Sequence, residues 1–115
     1  MIRRKEDLVV VSKKIQGGNG EASVINLMQT HEFCGKGRLF SKIILKPGNS
    51  IGRHTHIGDL EAFYILKGEG KFHDDREEKR IYAGDLTLTN DGENHELIND
   101  SMEDLEMIAL ILYSK

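Results

Sequence analysis

Residues 48–68 read GNSIGRHTHIGDLEAFYILKG, and the rest of the chain is best read outward from them. His54 and His56 stand two apart, so on a strand both side chains point to one face. Gly58 and Asp59 suit a turn, and Glu61 follows five residues after His56. Glu61 shares its phase with Phe63 and Ile65, which puts the carboxylate on an apolar, interior face. An interior carboxylate is costly unless paired or coordinated, and two convergent imidazoles with a cation satisfy it. On spacing alone, a metal site and a set of hydrogen-bonded histidines stand at even odds.

On both sides of this stretch the chain breaks into short runs rich in Ile, Leu, Val, Phe and Thr. Twelve glycines and a single proline, Pro47, punctuate them. The runs are 23–29, 39–46, 60–67, 71–74, 80–83, 86–89, 95–99 and 105–113, a spacing that predicts an all-β domain. In the second run Ser41, Ile43 and Leu45 share one face, and Lys42 and Lys46 share the other, which predicts a half-solvated strand. Residues 74–80 (DDREEKR) carry only charged side chains and read as a solvated hairpin turn. Helical signals are weak. Glu6–Val11 fits a short turn or an extended arm.

Two runs are apolar on both faces: Ala62–Leu66 (AFYIL) and Ile108–Tyr113 (IALILY). A half-solvated antiparallel strand alternates, so these strands are expected to be covered twice. A chain of 115 residues has one interior, and the second cover is expected from a second copy, a homodimer packed sheet to sheet.

His95 lies 39 residues beyond His56, at the head of another short run. Gly48, His54, His56, Glu61 and Gly68 keep every spacing of the pattern G-x5-H-x-H-x4-E-x6-G. Gly84, Asn90, Gly92, His95 and Asn99 follow G-x5-P-x-G-x2-H-x3-N, with Asn90 in the place of proline. Asn tolerates turn geometry well, so the departure is mild. With nine of ten fixed positions matched, the chain resembles the cupin superfamily. The resemblance implies a double-stranded β-helix (jelly-roll) barrel of six to eight strands, and one cupin domain over residues 1–115. The first motif would lie at 48–68 and the second at 84–99. It also implies metal ligands at His54, His56, Glu61 and His95, with Asn99 bracing the barrel.

Three imidazoles and one carboxylate suit one divalent transition metal. Mn or Fe is favoured, with Zn, Ni, Co or Cu following, whereas Ca and Mg prefer oxygen donors. Cupin relatives include dioxygenases, oxalate-type decarboxylases and isomerases. The leading expectation is therefore a metal-dependent enzyme acting on a small oxygen-bearing organic molecule, with Glu61 as proton acceptor when it loosens from the metal. The alternative is a non-catalytic module that binds or senses a small molecule or metal. Aliphatic walls (Ile43, Leu45, Phe63, Ile65) and no convergent Arg or Lys pair favour an uncharged or modestly polar substrate. Arg38 is a possible exception, and Arg53 alternates away from His54.

Other classes of function find little support. A net charge of −3 with no basic stripe argues against nucleic acid. The longest apolar stretch, Ile108–Tyr113, falls far short of the roughly 20 residues that span a bilayer. No secretory signal opens the chain, and Cys34, the lone cysteine, forms no internal disulfide, so a cytoplasmic location is expected. His31 beside Cys34 has nothing to orient a catalytic pair. His73 reads as a surface residue. Tyr64 faces away from Glu61, toward the outer layer or a dimer contact.

Overall fold

A computed structural model describes residues 1–115. The strands are β1 (Val10–Lys13), β2 (Ala22–Asn26), β3 (Gly37–Leu45), β4 (Ser50–Thr55) and β5 (Asp59–Lys67). They continue with β6 (Glu69–Asp74), β7 (Glu78–Tyr82), β8 (Leu86–Thr89), β9 (Asn94–Ile98) and β10 (Leu105–Tyr113). Six form one antiparallel sheet in the order β1-β2-β3-β10-β5-β8, and four form a second in the order β4-β9-β6-β7. Single 3-10 turns at Lys5–Asp7 and Thr30–Phe33 are the only helical segments. No helix is long and apolar enough to cross a membrane.

The all-β jelly-roll expectation holds, with two corrections. There are ten strands, and the barrel is not closed: no ladder joins the two sheets. The molecule is a double-sheet jelly roll with free edges at β1, β8, β4 and β7. The second correction concerns the charged segment 74–80. Only 75–77 turn the chain, with Asp74 Oδ1 accepting the N–H groups of Arg76 and Glu77, while Glu78, Lys79 and Arg80 are strand residues of β7. An edge strand in solvent tolerates such charge, and charge discourages pairing with foreign strands.

The core lies between the sheets, where Leu45, Ile51, Phe63, Ile65, Leu97, Leu105 and Met107 are all but inaccessible. Period-2 alternation produces it: β5 sends Glu61, Phe63 and Ile65 inward, and β10 sends Leu105, Met107, Ala109 and Ile111 inward. The outward residues of the doubly apolar strands meet no second layer in this chain. Tyr64 is 46% exposed, Leu66 43% and Leu112 36%.

One irregularity sets up the site. On β4, Ile51 pairs with Leu97 and His54 pairs with His95, so Gly52 and Arg53 together oppose the single residue Glu96. This is a β-bulge, which re-aims the side chains that follow it. Strict alternation from the buried Ile51 would turn residues 53 and 55 inward. The extra residue reverses the phase, so Arg53 and Thr55 are exposed, His54 is half-buried and His56 is buried.

Candidate metal centre

Three strands and one flank deliver the four candidate donors to one end of the sandwich. His54 comes from the bulged β4, His56 follows its last residue, Glu61 comes from β5 and His95 from β9. His56, Glu61 and His95 are buried, at 2%, 5% and 0% exposure. His95 Nε2 lies 3.1 Å from His56 Nε2, 3.1 Å from His54 Nε2 and 3.2 Å from Glu61 Oε1. His56 Nε2 is 3.1 Å from the same carboxylate oxygen. One ligand-type atom from each residue lies within 4.8 Å of the others.

The opposite ring nitrogens are held from behind. His54 Nδ1 donates to the Gly52 carbonyl at 2.7 Å, and His56 Nδ1 donates to Asp59 Oδ1 at 2.7 Å. His95 Nδ1 meets the Thr89 hydroxyl at 2.8 Å. A carbonyl or carboxylate can only accept, so the first two bonds fix the proton on Nδ1 and leave the Nε2 lone pair facing inward. Two such lone pairs, the third imidazole nitrogen and a carboxylate then converge at the end of the cavity between the sheets. Acceptors crowded at 3 Å require a cation among them, and the donor set fits a divalent metal ion.

The electrostatics agree. Burial works to raise the Glu61 carboxyl, but hydrogen bonds from His56 and His95 outweigh it and hold the group below its usual range. Burial lowers His54, keeping its imidazole neutral, as a ligand must be. The hydrogen bond to Glu61 raises His56, so without another cation a proton bridges that pair. A metal ion bound there would take the proton's place, so its uptake should release protons and weaken as pH falls.

A cavity of about 120 Å³ opens beside His54, His56 and Glu61. Its walls include Ile43 and Phe63, as the apolar phase of β3 and β5 predicts, and Ile111 of β10, whereas Leu45 and Ile65, also expected there, lie in the core and do not line it. Arg38, the possible exception named above, lines it together with Lys13, so two cationic residues border the chamber where an uncharged lining was favoured. Arg38 Nε binds Asp59 Oδ2 at 3.0 Å, so a chain of contacts runs from Arg38 through Asp59 to His56. Sequence reasoning missed Asp59 and Thr89 as partners of the rings. For Asp59, a signal existed in its position three residues after His56.

The remaining sequence candidates lie elsewhere. His31 and Cys34 are exposed at the 3-10 turn and do not pair. His73 pairs with Glu78 away from the cavity. Asn99 does brace the fold: its Nδ2 donates to the carbonyls of Leu45 and Glu103, both at 2.8 Å.

The family model of the cupin domain matches residues 41–111, a span holding all four donors and both motifs. The chain belongs to the cupin family. This cupin is 42% identical over 98 residues to an oxalate-binding protein of Thermotoga maritima, covering 85% of this chain and 81% of that protein. It also matches the crystal structure of a predicted oxalate decarboxylase from Thermotoga maritima. That match has a TM-score of 0.93 at 38% identity, over 98% of this chain and 99% of the other. The cupin domain of an XRE-family transcriptional regulator from Enterobacter cloacae matches at TM-score 0.69 and 23% identity. It covers 82% of this cupin and 98% of that domain, and it shows likeness of fold alone.

Proposed function

We propose that this cupin binds a small dicarboxylate of the oxalate type through one divalent transition metal, Mn or Fe first, held by His54, His56, Glu61 and His95. The observation that carries the reading is the convergence of these four donors on a small chamber that Arg38 and Lys13 also line. The bound ion supplies Lewis acidity toward carboxylate oxygens. Arg38 and Lys13 offer positive charge to a dianion, and the guanidinium can form charge-assisted, paired hydrogen bonds to a carboxylate. The name and the description attached to the Thermotoga maritima matches point to the same ligand class.

Retention is better supported than turnover. Oxalate decarboxylation consumes one proton to give formate and carbon dioxide. Among the residues lining the chamber Glu61 is the sole carboxylate, and it belongs to the donor set. No second carboxyl stands free to carry that proton. The description of one relative as a predicted decarboxylase keeps turnover as the second reading, with Lys13 as the proton source. Formate release from oxalate by Mn-loaded protein, lost in Lys13→Gln, would establish it.

The test of the primary reading is calorimetric titration with oxalate. Mn-loaded protein should bind it one to one and metal-free protein should not. Arg38→Gln should weaken binding by about 10- to 100-fold, the range for one charge-assisted bond. Equal affinity with and without metal removes the proposal.

The outward face of the six-stranded sheet supports the expected homodimer. Leu86, Tyr64 and Ile108 align across β8, β5 and β10, and Leu88, Ala62, Leu110 and Phe40 form the next row. The charged pair on this face, Lys42 and Glu106, is internally neutralised at 3.0 Å, so two copies meet without repulsion. A broad apolar sheet is best covered by another sheet. Light scattering should give twice 13.0 kDa at micromolar concentration, and Leu110→Asp should halve it. A monomeric wild type rules the dimer out.

A further inference from the structure

The connection from β1 to β2 lies directly on the β4 bulge. Ile15 O accepts N–H groups from both Gly18 and Gly52, each at 3.0 Å. Ser50 N–H donates to Asn19 O at 2.9 Å, and Asn19 N–H donates back to Ser50 Oγ at 2.8 Å. Two glycines permit the contact. A Cβ on Gly52 would lie 2.0 Å from Gln16 O, and a Cβ on Gly18 would lie 2.1 Å from Ser50 O. Neither glycine has a positive φ, so space and not backbone angle requires them. The obstructing atoms are backbone, which cannot swing aside as a flexible side chain can.

Gly52 is shared between this strap and the metal centre through the two successive peptide groups it joins. Its N–H is held by Ile15 O, and its carbonyl holds His54 Nδ1 at 2.7 Å. Ile15 and Gln16 of the strap also line the chamber beside His54. We infer that the Ile15–Asn19 strap is a clamp on the β4 bulge, and that Gly52 and Gly18 are positioning residues that fix the tautomer and aim of His54. The clamp holds the Ile51–Gly52 peptide, the backbone angles of Gly52 carry that constraint to the Gly52–Arg53 carbonyl, and the carbonyl holds the ring. A side chain at either glycine lifts the strap and frees the ring to turn. Its effect on metal affinity rests on the proposed metal reading, but its effect on the ring does not.

Two measurements on Gly52→Ala and Gly18→Ala test the clamp. In metal-free protein, long-range nitrogen–proton NMR of the histidines should show His54 locked with its proton on Nδ1 in the wild type, and averaged between tautomers in both variants. Titration with Mn(II) should show affinity weakened by about 10- to 100-fold, the range seen when a partner that orients a metal-binding histidine is lost. Leu105→Ala serves as the control. It opens the core at the opposite end of β10, where Leu105 pairs with Leu45, and should lower stability without changing tautomer or affinity. Should Gly52→Ala fail to fold, Gly18→Ala and Ser50→Ala carry the same expectation, the latter by removing the acceptor of Asn19 N–H. A folded strap variant that keeps a single His54 tautomer overturns the inference, as does an unlocked ring in the wild type. A locked wild-type ring without Mn uptake, released in the variants, would leave the clamp standing and remove the metal reading.

Discussion

His95→Ala should reduce Mn(II) affinity by more than about 100-fold, beyond the range that loss of a supporting hydrogen bond produces. His95 is the hub of the cluster, with Nε2 within 3.2 Å of His54, His56 and Glu61, a proximity no other donor has to all three. Its aim is set from three sides. Phe63 stacks on it at 5.1 Å and an interplanar angle of 9°, Phe72 meets it edge-on at 5.9 Å, and Thr89 meets Nδ1. No neighbouring side chain can replace the lost nitrogen. Truncation also strands the buried Thr89 hydroxyl, at a cost of about 1–3 kcal/mol. Circular dichroism separates this loss from the metal effect, and a folded variant with wild-type affinity would contradict the role given to His95.

Phe63→Ala should cost about 3–5 kcal/mol of stability, the usual range for emptying a buried aromatic site. Phe63 is 1% exposed and sits between the metal cluster and the core proper, on the inward row Glu61, Phe63, Ile65 of β5. For a domain of this size such a loss corresponds to a melting temperature lower by about 10–20 °C. The same truncation removes the surface on which His95 stacks, so metal affinity should fall with stability. Phe63→Leu divides the two effects: it keeps the site apolar and most of its volume, costs less than the alanine change, and removes the stack. Thermal melts with Mn titrations report both, and a Phe63→Ala protein that melts like the wild type would show that the site does not depend on this packing.

How far the sequence reaches can be judged residue by residue. Strand β3 was legible from the period 2 of its buried face, and β5, β8 and β10 from short runs of strand-forming residues between turn residues. Strand β1 is exposed along its whole length and β7 nearly so, and an edge strand without a buried face leaves little pattern to read. The common face of His54 and His56 followed from their spacing. That this face is the interior did not, because Ile51 and His54 both point inward only through the bulge at Gly52 and Arg53. His95 entered through the second motif, since strand pairing that brings residue 95 against residue 54 is a property of register. Arg38 stood only as a possible exception and Lys13 was not singled out, for a related reason. They reach the chamber from the ends of strands, where alternation no longer says which way a long side chain leans.

The most direct test of the metal centre is to titrate Mn(II) into metal-stripped wild-type protein while following heat, proton release and melting temperature. One ion per chain should bind, with protons released as His56 gives up the proton it shares with Glu61. At a free metal concentration 100 times the dissociation constant, stability should rise by about 2.7 kcal/mol. Absence of uptake of Mn, Fe, Co, Ni, Cu or Zn, with no shift in melting, would contradict the account at its centre.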